Sequence, residues 1–435
     1  MRFIRNKLLP ALDLRSFAQS LPLLALLVPT AMSAALPETI ERRLMFGVGP
    51  YALFIPYLMS FMLLPFIFAL RGKANLWLLF MGLFFLFAGI GNAAYGVIPS
   101  SGLMYGTCIF AVCALASKIQ WSQNDLRILF WVSLSILFGL TLQVVLFSLG
   151  FLSIIVDSGF STLGVEGQVS RVGTTAGAAT GSAVILFVCG VFAFYAALQL
   201  FKGFIVPTAI LAMTGSAILL TFSRGGLLLF VLFIALLFFG RSPRFRFSIA
   251  SKFALLTVAF GALAYSLYSN EEILGALTKR GFGNAASTSF FSDNGRVIRY
   301  VEAYNYWTEE PILGSGLGGY YIRKRWLRTL PGIVVGVTSP HNVYLLVLAE
   351  LGLVGFIPFM FLVLSPLYNS FKRRNIVLMF GLLVLYGVGM NVELIYLEGI
   401  MLNLIVIFWS MSMRFEGDHL PRLQDRNFRL ASSID

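Results

Sequence analysis

Residues 343–367 read VYLLVLAELGLVGFIPFMFLVLSPL, a run in which Glu350 is the one charged side chain. At a helical rise of about 1.5 Å per residue, a run of this length crosses the hydrocarbon core of a bilayer, which is about 30 Å thick. It therefore reads as a membrane-spanning helix. Lys372, Arg373 and Arg374 follow it closely and His341-Asn342 precede it. Positive charge gathers in loops that stay on the cytoplasmic side, so the C-terminal end of this helix is expected there and its N-terminal end on the opposite side.

Working outward from this helix, apolar runs of similar kind lie at 17–35, 49–70, 75–92, 101–117, 128–155, 180–201, 203–221, 226–240 and 249–268 before it, and at 376–391 and 394–412 after it. The expectation is an all-α polytopic membrane protein of about twelve spanning helices. Composition agrees: of 435 residues, 58% are hydrophobic and only 12% charged, and the mean hydropathy is +0.85. No water-soluble domain carries such a surface. The net charge of +13 is spread over short segments between apolar runs, a topological pattern that does not suggest a nucleic-acid surface. Lys and Arg fall in alternate connections, which places both termini in the cytoplasm. The first run follows Arg2, Arg5, Lys7 and Arg15 and has the flanks of a signal peptide, but it is long enough to span and reads as a retained helix.

The connection before the quoted run departs from this rhythm. Residues 270–341, inserted between the ninth and tenth spans, form a loop on the side away from the cytoplasm, too long for an ordinary connection. Its aromatic residues, among them Tyr300, Tyr304, Trp307, Tyr320 and Trp326, argue for order. Within it, 293–309 places Val297, Tyr300, Val301, Tyr304 and Trp307 at the spacing of an amphipathic helix that stops before Pro311. The whole chain, 1–435, reads as one transmembrane domain carrying this loop. Cys108, Cys113 and Cys189 fall in apolar runs and read as small core residues. With two histidines, His341 and His419, and no Cys/His cluster, the sequence indicates neither a metal nor a cofactor.

Chemistry is expected where charge meets the outer ends of helices. Ser223-Arg224-Gly225 lies at a junction on the side of the long loop, where an arginine either meets an anion or snorkels to headgroups. Gly295-Arg296 opens the amphipathic helix with Arg299 one turn on. Guanidinium groups at a helix start suit a diphosphate, while Asp293, Glu302 and Glu310 offer the alternative of ion pairing. His341 can exchange a proton near neutral pH or bind a phosphate, and Asn342 beside it suits a helix cap. Glu350, about two turns into its helix, needs a partner, and a structural ion pair or hydrogen bond near the site is favoured over catalysis. Arg323, Lys324, Arg325 and Arg328 suit contact with anionic headgroups.

These residues, in this order, resemble the O-antigen ligase and polymerase superfamily, the WaaL ligases and Wzy polymerases of bacterial envelopes. The resemblance rests on Ser223 to Gly225; Gly295-Arg296; Trp307; Pro311, Gly314 and Gly316; His341-Asn342; and Glu350, Gly352 and Gly355, and covers about residues 180–365. It implies a GT-C-like membrane glycosyltransferase of the bacterial inner membrane, working at the periplasmic face without metal or nucleotide sugar. The donor would be an undecaprenyl-diphosphate-linked glycan. The acceptor would be lipid A-core for a ligase, the first reading, or a second lipid-linked glycan for a polymerase. Arg224 and Arg296 would stabilise the leaving diphosphate with Arg299 as a further ligand, and His341 would act as base or phosphate ligand. Ser223, Asn342 and Glu350 would support them. A lipid-linked sugar flippase, or a docking platform formed by the loop, would share the helices without the transfer chemistry.

Overall fold

The computed structural model describes residues 14–35, 62, 65, 74–94, 99–148, 179–201, 203, 205–221, 223–239, 294–317, 319–320, 340, 342–389 and 399–413. The described residues are helical, with no strand among them. In chain order the helices are α1 (Leu14–Ala35), α2 (Leu76–Ala94), α3 (Pro99–Ser117), α4 (Gln123–Ser148), α5 (Ala179–Leu200), α6 (Ile205–Leu220), α7 (Arg224–Phe239), α8 (Asn294–Glu309), α9 (Val343–Lys372), α10 (Ile376–Gly387) and α11 (Gly399–Ser412). Ten of them correspond to expected apolar runs and α8 to the expected amphipathic helix. The run at 249–268, and that at 49–70 apart from helical residues 62 and 65, lie outside the described residues.

Among the described residues, three stretches are both long and apolar enough to cross a membrane: Gln123–Leu146, Gly181–Leu200 and Val343–Lys372. Around them stand shorter apolar helices of 10–17 residues. α5 is the centre of the bundle, touching α4, α6, α7, α10 and α11, and Ala183 to Ala197 along it is buried without interruption. A helix apolar on all sides has no solvent face to offer, so the others pack round it. α1 belongs to the same bundle. Leu23, Leu26 and Leu27 are fully buried, and Asn403 of α11 donates to Thr30 Oγ1 at 3.1 Å and to the Leu26 carbonyl at 3.4 Å. The three cysteines are free and buried, as core residues would be.

Polar contacts reveal which helix ends share a level. At one end Asn75 N–H donates to the Ser117 carbonyl, the Asn75 side chain donates to Met413, Trp121 Nε1 donates to Ser410, the Asn369 amide donates to the Ser412 carbonyl, and Asn375 donates to the Tyr195 hydroxyl. The start of α2, ends of α3, α5, α9 and α11, and starts of α4 and α10 therefore lie together. α6 begins there after the short connection that follows α5, so it finishes at the other end, where α7 begins. The same end holds the start of α9, since Tyr344 in its first turn donates to the Tyr386 carbonyl in the last turn of α10 at 2.9 Å. Arg224 and Asn342 thus stand at one end of the bundle, opposite Lys118, Lys372, Arg373 and Arg374.

The turn between α9 and α10 is tight. Asn375 N–H donates to Ser370 and Arg374 N–H to Phe371, the paired bonds that close a helix through a left-handed residue. Arg374 occupies that position with φ 53, and Asn375 then caps α10 by accepting from Leu378 N–H at 3.4 Å.

Candidate functional site

The Ser223–Gly226 stretch is a helix start in which each residue has a distinct task. Thr221 Oγ1 accepts from Ser223 N–H at 3.3 Å, holding the turn. Ser223 Oγ accepts from Gly226 N–H at 3.2 Å, and its carbonyl takes the Leu227 N–H at 2.9 Å, so Ser223 is the N-cap of α7. Gly226 permits close packing, since a Cβ there would lie 2.3 Å from the Ala183 Cβ. Arg224 is the first residue of α7. A cation at the positive end of a helix gains nothing from its own dipole, whereas cation and free N–H groups together attract an anion.

Asn342 plays the matching part for α9. Its backbone is extended, φ -146 and ψ 110, and its side chain accepts from Leu345 N–H at 2.9 Å. His341 immediately precedes this cap and lies outside the described residues, as do 270–293 and 321–339, including the basic cluster Arg323 to Arg328. The cap fixes the start of α9, next to which the chain delivers His341.

α9 is broken within its length. Gly352 has φ 58 and ψ -166, neither helical, so the bonds that Leu353 and Val354 would normally give to Ala349 and Glu350 are not made there. The segment after α8 replaces them. Leu353 N–H donates to the Pro311 carbonyl at 2.9 Å and Val354 N–H to Ile312 at 3.1 Å, while Ser315 N–H donates to Ala349 at 3.0 Å and Gly316 N–H to Glu350 at 2.7 Å. Ser315 Oγ adds a bond to the Ala349 carbonyl at 3.1 Å. Backbone groups buried at a helix break need such partners. Gly314, with φ 70, lets the two backbones meet: a Cβ on it would lie 2.5 Å from the Glu350 carbonyl group. Pro311, Gly314, Gly316 and Gly352 are all motif positions in the sequence. Their mutual engagement, a clasp between loop and helix, leaves no signature in either stretch alone.

Upstream of the clasp, α8 starts and ends within a residue of the expected helix, and part of its apolar stripe faces away from the protein. Ala303 is the fully buried residue, and Val301 and Tyr304 are exposed, 52% and 50%. The inward side carries half-buried Arg299, Glu302 and Tyr306. Tyr306 packs edge-on to the buried Tyr320 at 5.4 Å, and the Tyr320 hydroxyl reaches Glu302 at 3.5 Å. Burial, with Glu302 and Tyr306 beside it, pushes the Tyr320 phenol above its ordinary range, and the nearby Arg299 charge opposes this. Arg299 therefore sits among groups of its own protein, the setting of the pairing alternative. Arg296 is the third residue of α8, in its first turn. Trp307 Nε1 donates to the Pro311 carbonyl at 3.2 Å, tying the helix to the clasp.

Glu350 is buried, 1% exposed, in the last turn before the break. Residues 353–372, between the break and the basic turn, make about 30 Å of helix. Among the described residues no group of three or more His, Cys, Asp or Glu side chains is gathered as metal ligands.

The structure thus brings Ser223, Arg224 and Asn342 to one end of the bundle and couples α8, which carries Arg296 and Arg299, directly to the helix of Asn342 and Glu350. No curated protein matches the chain. Residues 208–360, which run from α6 through α7 and α8 into the distal half of α9, match the O-antigen ligase family model.

Proposed function

We propose that the protein is a membrane glycosyltransferase that moves a glycan from undecaprenyl diphosphate to an acceptor at the periplasmic face of the bacterial inner membrane. The family match at residues 208–360 supports a ligase- or polymerase-type role in surface-polysaccharide assembly. The observation that carries the reading is that Arg224 opens α7 at the same end of the bundle as the capped start of α9, remote from the basic end. The full bundle is read as about twelve spanning helices with the basic end and both termini in the cytoplasm and 270–341 as a periplasmic loop.

Cleavage of the bond from the anomeric carbon to diphosphate places negative charge on the leaving group. Arg224 and Arg296, each in the first turn of a helix, are assigned to stabilise it, with backbone N–H groups adding to the field. His341 is assigned to the acceptor, taking the proton of its hydroxyl as the glycosyl bond forms, or to a phosphate oxygen. Ser223 and Asn342 set the two helix starts, Arg299 backs the diphosphate from α8, and Glu350 supports the site at the α9 break. Lipid A-core is the acceptor of the ligase reading and a second lipid-linked glycan that of the polymerase reading.

Purified protein in proteoliposomes, given a lipid-linked glycan with lipid A-core and a second lipid-linked glycan as competing acceptors, tests this directly. The expected outcome is release of undecaprenyl diphosphate with extension of one acceptor, abolished in Arg224→Ala, Arg296→Ala and His341→Ala. Undiminished transfer in all three variants overturns the mechanism. The break in α9 is a feature that a flippase would share, but transporter breaks lie near the bilayer midplane, whereas Gly352 lies at the rim of a full-length span. Flipping of a fluorescent lipid-linked glycan without product would favour the flippase.

A further inference from the structure

Among the described residues nothing covers Val301 and Tyr304 in the apolar stripe of α8, and their surroundings indicate what does. Ala303 and Tyr306 of α8 face the protein, and its outward face grades round the helix from the apolar Tyr304 through Thr308 and Val301 to the polar Asn305 and Glu309. The clasp adds Ile312, 63% exposed, and Leu313, 54% exposed. Ile312 is joined through its carbonyl to Val354 N–H, and Val354 begins a second exposed apolar stripe of Leu353, Ile357, Phe361 and Leu364 along the distal half of α9. The proximal half, 343–351, has no exposed residue. The change from enclosed to apolar-exposed falls at Gly352, one bilayer core from the basic turn at Lys372 to Arg374.

We propose that Val301, Tyr304, Ile312 and Leu313 form a lipid-contact surface, seated among the acyl chains of the leaflet at the outer helix ends, with Gly352 at the hydrocarbon boundary. The stripe of α9 is lipid-facing if the helix spans at all, and the clasp continues it without a gap. A helix whose outward face grades from apolar to polar lies along a membrane surface, its polar edge upward and its apolar edge downward. Tyr304 and Trp307, ring centroids 5.4 Å apart, place aromatic rings at the level where such rings collect. On this reading α8 is held at a fixed depth by lipid below and by the clasp at its end. Its first turn, with Arg296, is thereby set at headgroup height, where the diphosphate of a lipid-linked substrate lies.

The inference rests on the membrane-spanning part of the proposed function and not on glycosyl transfer, so the two can fail separately. Cys108, Cys113 and Cys189 are replaced by alanine in the full-length chain, and single cysteines are introduced at Val301, Tyr304, Ile312, Leu313, Asn305 and Glu309. Nitroxide labels are attached in proteoliposomes, and collision with oxygen is compared with collision with a water-soluble nickel chelate. The expected result is a several-fold higher oxygen-to-nickel ratio at Val301, Tyr304, Ile312 and Leu313 than at Asn305 and Glu309. Equal, nickel-accessible labels at all six positions overturn the proposal, since the surface then faces water. Labels at Ile312 and Leu313 shielded from both reagents also overturn it, because a second protein surface, such as another copy, then covers them. A protein that shows the expected ratio but no transfer retains this surface and loses the proposed activity.

Discussion

Gly314 and Gly352 meet backbone to backbone: a Cβ on Gly352 would lie 2.6 Å from the Gly314 nitrogen, and one on Gly314 would lie 2.5 Å from the Gly352 nitrogen. Both have positive φ, which costs a residue with a side chain about 1–2 kcal/mol before any clash is counted. Gly314→Ala and Gly352→Ala are therefore each expected to destabilise the protein by at least about 2 kcal/mol, since the clash also disturbs main-chain bonds of about 1 kcal/mol each. Gly139→Ala, in α4 with open space around it, is the comparison and should be neutral or gain up to about 1 kcal/mol. Thermal unfolding in detergent decides it. A Gly352→Ala protein as stable as Gly139→Ala would remove the clasp from the account.

The two helix caps separate stability from chemistry within adjacent residues. Ser223→Ala and Asn342→Ala should each cost about 1 kcal/mol, and Ser223→Asp and Asn342→Asp should restore most of it because aspartate caps equally well. Arg224→Ala, one residue from the cap, should leave unfolding nearly unchanged and abolish transfer. A loss of stability in Arg224→Ala equal to that of Ser223→Ala would make the arginine part of the helix start.

Arg374 holds a left-handed conformation that glycine adopts freely. Arg374→Gly is expected to raise stability by about 0.5–1 kcal/mol, less the entropy that glycine adds to the unfolded chain. Lys372 and Arg373 remain to hold the end of α9 on its side of the membrane, so a cysteine-accessibility test of that loop should report an unchanged topology. A fall in stability would mean that the Arg374 side chain contributes more than its backbone costs.

Much of this architecture is legible in the sequence because lipid makes the helix code one-dimensional. The runs that become α4, α5 and α9 are apolar over the length of a membrane span, and alternating Lys and Arg predict the shared ends that Asn75, Asn369 and Asn375 then join. α8 is legible as a helix through its periodicity, from Asn294 to Glu309. Its orientation is not, because an apolar stripe of Val301 and Tyr304 looks the same whether protein or lipid receives it. The inward face is marked by Ala303, whose small side chain permits close approach. The break at Gly352 escapes notice for a similar reason: a glycine among leucines reads as ordinary helix until the partner segment at Pro311 to Gly316 is known.

Tyr320 supplies a prediction whose sign can be worked out. Its phenol is pushed up by burial and by Glu302 and Tyr306, so the folded protein keeps the proton that the unfolded chain releases near pH 10. The stabilising contribution is complete below that value. Above it the unfolded state holds fewer protons than the folded state, and stability falls with rising pH by up to about 1.4 kcal/mol per unit. Tyr320→Phe removes this proton, so its unfolding temperature should fall less between pH 9 and 11 than that of the parent protein. Arg299→Gln, which takes away the charge opposing the shift, should leave the alkaline fall of the parent in place or extend it. Parallel curves for the parent and Tyr320→Phe would show that the hydroxyl is hydrated, and that the contact with Glu302 does not hold α8 to the loop.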